Sequence, residues 1–212
     1  MRIVAASDLH GVLPHPDAVP EGDVLVLAGD ICPGALAGRQ AEWLSSVFAD
    51  WIADVRVSHV VATWGNHDWV GQRGRAPDVP GVRLLVDDGC VIDGVRFWCS
   101  PWSLTYLHWA FMAGEAELAA KYCRIPAGTD VVVSHGPPLG YGDMTVDGFR
   151  VGCVSLRERL RELGPRLAVF GHIHEAAGQW DVDGGTWVNA SLLDHRYRAV
   201  RGPVSIDIAG RP

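Results

Sequence analysis

Arg2-Ile3-Val4-Ala5-Ala6-Ser7-Asp8-Leu9-His10-Gly11 is a short apolar, β-branched run that stops on an aspartate, a histidine and a glycine. The run has the composition of a strand. Asp8 and His10 are two residues apart, so an extended chain sends both side chains to one side. The same construction recurs along the chain. Residues 23–28 run into Gly29-Asp30, residues 59–64 into Gly65-Asn66-His67-Asp68, residues 130–134 into His135-Gly136, and residues 167–170 into Gly171-His172-Ile173-His174. Three further β-rich segments read as two hairpins and a last strand: residues 91–98 about Asp93-Gly94, residues 179–188 about Asp183-Gly184-Gly185, and residues 203–208.

Helices alternate with these strands. Within residues 41–52, Leu44, Val47, Phe48, Trp51 and Ile52 share one helical face. Residues 155–163 place Leu156, Leu160 and Leu163 on another, with Gly164-Pro165 as the stop. Residues 113–122 form a third, weaker pattern. Strand–helix–strand order implies parallel pairs, and the Asp-Gly turns imply antiparallel ones, so the expectation is a mixed α/β sheet protein. Residues 130–134 and 167–170 are apolar through their length rather than alternating, as strands covered on both faces are. No linker, repeat or low-complexity tract interrupts residues 1–212, which read as a single domain.

In parallel sheets, ligands bind at the carboxyl ends of the strands. That rule gathers Asp8, His10, Asp30, Asn66, His135, His172 and His174 at one place. Their donors are imidazole, carboxylate and amide without thiolate, a set suited to manganese, iron or zinc and unlike a cysteine-built structural zinc site. Glycines 11, 29, 65, 136 and 171 flank these residues and allow tight turns and close backbone approach. Taken singly the motifs are of unequal weight. A chance Gly-His-x-His is on the order of one in twenty-five for this composition, and a chance Gly-Asn-His-Asp on the order of one in a thousand.

Composition narrows the partners. Of 212 residues 18 are Lys or Arg and 25 are Asp or Glu, a formal net charge of −7. That sign argues against gripping a nucleic-acid polymer or an anionic membrane. With 48% hydrophobic and 20% charged residues the chain has the balance of a globular protein with a sizeable core. The early apolar run of residues 3–6 is too short for a signal peptide or a membrane span, so a cytoplasmic address is expected. Five cysteines without close pairs suggest no disulfide framework and no C-x-x-C site.

Asp8-x-His10, Gly29-Asp30, Gly65-Asn66-His67-Asp68, His135 and Gly171-His172-x-His174 together resemble the calcineurin-like metallophosphoesterases. Ser134-His135-Gly136-Pro137-Pro138-Leu139-Gly140, Gly171-His172-Ile173-His174-Glu175 and Val188-Asn189-Ala190-Ser191 are similar in finer detail to the small brain-type metallophosphoesterase-domain proteins and the class III cyclic-nucleotide phosphodiesterases. The resemblance implies a four-layer αββα sandwich with mixed β-sheets, and two metal ions. Asp8, His10, Asp30 and His174 would hold one ion. Asp30, Asn66, His135 and His172 would hold the other, with Asp30 bridging and a bridging hydroxide attacking phosphorus in line. His67 would protonate the leaving oxygen, and Asp68 would orient its ring and raise its pKa.

The implied substrate is a small phosphodiester, cyclic nucleotides among the candidates. Gly29-Asp30 continues as Ile31-Cys32-Pro33-Gly34 and lacks the arginine extension of protein phosphatases, so phosphoprotein and phosphomonoester stand as alternatives. A non-catalytic scaffold with the same fold is the third. Outside the motifs, His15, His59, His108 and His195 read as surface or satisfied histidines. Trp102, Tyr106, His108 and Trp109 form an aromatic segment able to line a base or aryl pocket, with His108 its most notable member. Cys32 reads as packing beside the site, and Asn189 as either a site residue or a turn amide. Arg157, Arg159 and Arg161 alternate with glutamates as a solvated helix face. Apolar patches among the tryptophans would fit a homodimer.

Overall fold

The computed structural model describes residues 1–34 and 36–209. Two sheets stack face to face. The first contains β1 (Arg2–Ala6), β2 (Gly22–Ala28), β3 (Val57–Thr63), β4 (Val82–Leu84) and the late strand β13 (Val204–Asp207), in the order β13-β1-β2-β3-β4. All its pairs are parallel except β13 on β1. The second contains β5 (Asp88–Ile92), β6 (Val95–Ser100), β9 (Val131–Ser134), β10 (Leu167–Phe170), β11 (Gly178–Val182) and β12 (Gly185–Asn189), in the order β11-β12-β10-β9-β6-β5. Its centre is parallel and its two edges are the antiparallel Asp-Gly hairpins. A two-stranded ribbon, β7 (Ser103–Leu104) and β8 (Met112–Ala113), precedes the helix α4 (Glu115–Tyr122).

Strand alternation places these layers. Ile3, Ala5, Val24, Val26 and Val61 meet Phe97, Cys99, Val131, Val133, Val169 and Val188 in the core between the sheets. Their sequence neighbours Val4, Leu25, Leu27, Val60 and Ala62 turn the other way and pack under a helical segment through Leu44, Phe48, Trp51 and Ile52. On the far side Val132, Ala168, Phe170 and Trp187 pack under Leu118 and Tyr122 of α4 and Leu156 and Leu160 of α5 (Val154–Leu163). Three cores between four layers make the αββα sandwich, and the continuous apolar runs of β9 and β10 are fully buried.

Two details depart from the expected elements. The first helical segment begins earlier, as α1 (Ala37–Trp43), passes through a π-helical turn at Leu44–Phe48 and ends as α2 (Ala49–Asp54). The wider turn keeps Leu44 and Phe48 inward and leaves Val47 exposed, so Val47 is not part of the buried face. β4, β7 and β8 are additional strands of two or three residues, and α3 (Trp69–Gln72) is a single helical turn; all are too short to carry a period. No helix among the described residues is long and apolar enough to cross a membrane.

Candidate metal centre

β1, β2, β3, β9 and β10 all end at the same edge of the sandwich, and the loops leaving them are tied across the two sheets. Ser7 N–H donates to Ala190 O at 2.9 Å, and Leu192 N–H returns to Ser7 O at 3.0 Å. Asp8 N–H bonds Gly29 O and His10 N–H bonds Asp30 O, so the β1 and β2 loops run side by side. Asp8 (φ 57°), His10 (φ 45°), Asp30 (φ 50°) and His172 (φ 70°) themselves adopt left-handed backbone. Such residues cost about 1–3 kcal/mol each and persist where surrounding structure fixes them. The strain sits on the ligands rather than on most of their glycines. Gly65 and Gly171 serve close approach instead: a Cβ at Gly171 would lie 2.0 Å from Ser7 Oγ and 2.2 Å from Asp8 Oδ2.

Two groups of side chains bring their donor atoms within 4.8 Å of one another: Asp8, His10 and His174, and Asp8, Asp30 and His135. His174 Nε2 lies 3.3 Å from Asp8 Oδ1 and 3.2 Å from His10 Nε2. Asp8 is common to both groups, and Asp30 Oδ2 of the second lies 3.5 Å from His135 Nε2 and equally 3.5 Å from His10 Nε2 of the first. Asn66 Oδ1 is 2.7 Å from His135 Nε2, and the His172 ring packs against that of His135 with centroids 5.1 Å apart. His172 and His174, two residues apart, thus face different partners.

The donor set fits cations. His135 Nδ1 lies 2.9 Å from the Ala28 carbonyl and donates to it, which leaves Nε2 as a lone pair facing the Asn66 and Asp30 oxygens. Asn66 Nδ2 is buried without a partner among the described residues. His174 Nδ1 is anchored in the same way on Asp194 O at 3.1 Å. Imidazoles that donate one N–H to a backbone carbonyl and turn the other nitrogen inward are the usual second-layer pattern of metal sites.

Charge tells the same story. Burial, with Asp68 and Asp8 nearby, pushes the Asp30 carboxyl well above its ordinary range, a strain that a cation would relieve. Burial would also raise Asp8, but the hydrogen bond and charge of His174, with His135 and His10, hold it far below. Burial would lower His174, yet Asp8 and the Asp194 carbonyl lift it to about 9. Burial takes His10 to about 3 against the pull of Asp8, and takes His172 to about 3 with His135 adding to the effect.

His67 and Asp68 do not form the expected pair. Asp68 Oδ1 accepts Cys32 N–H at 2.8 Å, and Oδ2 accepts Gly65 N–H at 2.8 Å and Ile31 N–H at 3.2 Å. The carboxylate is a fully buried brace between loops, and these bonds go to backbone N–H groups rather than to the His67 ring. Burial, reinforced by His135, instead holds His67 down at about 4. The His67 backbone is fixed at both ends, N–H to Asp30 Oδ1 at 2.7 Å and C=O from Gln40 Nε2 at 2.8 Å. Its ring lies 5.0 Å from those of His10 and Trp109.

A cavity of about 160 Å³ opens over these groups, lined by Asp30, Asn66, His67, Trp109, His172, His174, Glu175, His195 and Tyr197. His195 is exposed, as the sequence reading has it, and also lines this cavity. His108 is exposed, and Trp109 is the member of its segment that lines the cavity. Asn189 is a structural amide: Nδ2 donates to Gly142 O and Ile173 O, and Oδ1 receives Ser191 N–H. Ser191, missed as a site residue, donates its hydroxyl to Asp8 Oδ2 at 2.6 Å. Cys32 is buried in the core beneath the helical segment, as expected.

Fold and side chains together define a two-sheet sandwich with a buried oxygen- and nitrogen-rich cluster of metal-binding type at one edge. The calcineurin-like phosphoesterase family model matches residues 1–176, and the chain belongs to that family. It is 31% identical to the human metallophosphoesterase domain-containing protein 1, over 98% of this chain and 71% of that one. It is also 31% identical to a UPF0046 protein of Caenorhabditis elegans, over 96% of this chain and 74% of the other. Among solved structures, TT1561 of Thermus thermophilus aligns with TM-score 0.60 at 12% identity, covering 89% of this chain and 88% of that one. The phosphopantetheinyl hydrolase of Mycobacterium tuberculosis aligns with TM-score 0.55 at 17% identity, covering 92% and 90%. These last likenesses concern the fold.

Proposed function

We propose that the protein is a dinuclear metal-dependent phosphoesterase that hydrolyses small phosphodiesters. Asp8, His10, Asp30 and His174 would hold one ion, and Asp30, Asn66, His135 and His172 the other. The ions, manganese, iron or zinc, would supply Lewis acidity towards the phosphoryl oxygens and lower the pKa of the attacking water. The observation that carries the dinuclear reading is Asp30 Oδ2, 3.5 Å from a ligand nitrogen of each group.

The chain's own groups do the rest. Asp30 Oδ1 holds the His67 backbone while Oδ2 turns to the cluster, so acid and ligand keep a fixed relation. The His67 ring lines the cavity; held at about 4 it is neutral near pH 7, so it would serve the leaving oxygen as an N–H donor and become a proton source once the charge of a bound phosphoryl group raises its pKa. Diester preference rests on the lining. Among the described residues it contains no lysine or arginine and includes Glu175. Away from the ions, a dianionic monoester would meet that carboxylate with no lysine or arginine beside it, whereas a monoanionic diester is repelled less.

Turnover of 2′,3′- and 3′,5′-cyclic nucleotides, linear diesters and monoesters with Mn²⁺-loaded protein tests the reading. Diesters are expected to be hydrolysed with the higher kcat/KM. Faster monoester turnover would overturn the diester assignment, and metal-replete protein inert on every ester would leave the scaffold reading in its place.

A further inference from the structure

The rings around the cavity form a continuous series. Tyr106 packs against Trp109 (centroids 5.9 Å apart), Trp109 against His67 (5.0 Å), His67 against His10 (5.0 Å), and His10 edge-on against Tyr197 (4.8 Å, 78°). Tyr197 also meets His174 edge-on at 5.3 Å. Trp109 and Tyr197 are the aromatic end members that line the cavity, one on each side of the imidazoles. Tyr197 keeps 52% of its surface exposed, so its ring is open to a ligand.

Tyr197 is held in place by an unusual loop. Its backbone is left-handed (φ 60°), a conformation that a bulky aromatic rarely takes. Asp194 enforces it: Oδ1 accepts the N–H groups of Arg196 and Arg198, Oδ2 accepts the Arg198 guanidinium, and the Asp194 carbonyl accepts Tyr197 N–H at 2.8 Å. That same carbonyl receives His174 Nδ1 at 3.1 Å. One oxygen atom thus fixes both a ligand of the cluster and the aromatic ring beside it. Exposed tyrosine and tryptophan in rigid positions supply stacking area at low cost in conformational entropy.

We propose that Trp109 and Tyr197 are specificity-determining walls of a slot that receives a planar aromatic ring carried on the phosphate ester. The inference rests on the phosphoesterase reading and names the class of ester group that the site prefers. Aromatic rings lining the cavity beside the imidazoles favour a flat π-system, by stacked or edge-to-face contact, over a bulky saturated group. The slot adjoins the cluster, so the ring belongs to the molecule whose phosphoryl group the cluster holds.

Calorimetric binding of phenyl-, cyclohexyl- and methylphosphonate to Mn²⁺-loaded protein tests the slot without turnover. Phenylphosphonate is expected to bind about tenfold tighter than the other two, the scale of one base–aromatic stack. Trp109→Leu and Tyr197→Asn should each cut the phenyl-to-methyl ratio several-fold; asparagine tolerates the left-handed backbone, so the loop is kept. Tyr197→Phe should preserve the ratio. Equal affinity for phenyl and cyclohexyl, or equal weakening of all three ligands in both wall variants, would overturn the slot alone. Failure of all three to bind the wild-type protein would overturn the phosphoesterase reading with it.

Discussion

Asp68 accepts N–H bonds from Ile31, Cys32 and Gly65, neighbours of Asp30 and Asn66 on two separate loops. A hydrogen bond to a buried charge is worth about 1.5–3 kcal/mol, and an asparagine would aim N–H at N–H in at least one position. Asp68→Asn should therefore lower unfolding stability by about 3 kcal/mol, read as a drop in urea midpoint at constant slope. Unchanged stability with a displaced pH–rate profile would restore Asp68 to the role of orienting His67. Ser191 and His135 separate two kinds of contribution. His135→Ala removes a proposed ligand and should reduce manganese stoichiometry by about one equivalent by elemental analysis. Ser191→Ala removes a hydroxyl that holds Asp8 and should keep stoichiometry while weakening affinity about ten- to hundredfold. Loss of an equivalent in the serine variant would contradict this division.

At the scale of elements, motif order and strand placement were legible while the irregular joins were not. Arg2–Ala6 and Leu167–Phe170 form as read, because apolar β-branched runs bounded by polar turns have little alternative. Val47 was assigned to a buried face because periodicity assumes a constant turn, and the π turn at Leu44–Phe48 breaks that assumption. The start of α5 is another join that spacing does not reveal. Its first turn is held by Cys153 Sγ, which accepts Leu156 N–H, and by Glu115 of α4, whose Oε1 accepts Ser155 N–H at 2.6 Å and the Ser155 hydroxyl at 2.5 Å. Burial would raise Glu115, but these bonds win and its pKa lies below the ordinary 4.5. A depressed carboxyl stabilises the fold above its unfolded value and loses that contribution as pH falls through the folded one. Thermal unfolding of Glu115→Gln should therefore lie below wild type at pH 7 and converge with it as pH drops under 4.5. A constant difference across that range would show that the carboxylate charge is not what holds the α4–α5 join.

For the whole molecule, the ligands were readable because each sits in a local motif, whereas the groups that hold them come from afar. Ser191 reaches Asp8 across 183 positions and His172 N–H reaches the same carboxylate across 164, distances at which sequence spacing carries no signal. Those bonds join the two sheets at one edge, so the site and the inter-sheet core share their supports. Three of the 25 acidic residues, Asp8, Asp30 and Asp68, are buried together there and act unfavourably on one another. Cations that bind this arrangement and not the unfolded chain stabilise it by about 2.7 kcal/mol at a hundredfold excess over Kd. For a chain of this size that raises Tm by about 5–10 °C. Manganese titrated into chelator-treated wild-type protein should produce such a rise, and His135→Ala, keeping only the Asp8, His10 and His174 group intact, should show a smaller one. An equal rise in both proteins would place the stabilising ion outside the second group. No rise in either would mean that the buried carboxylates are balanced by protons and imidazoles alone, and the dinuclear reading would fall.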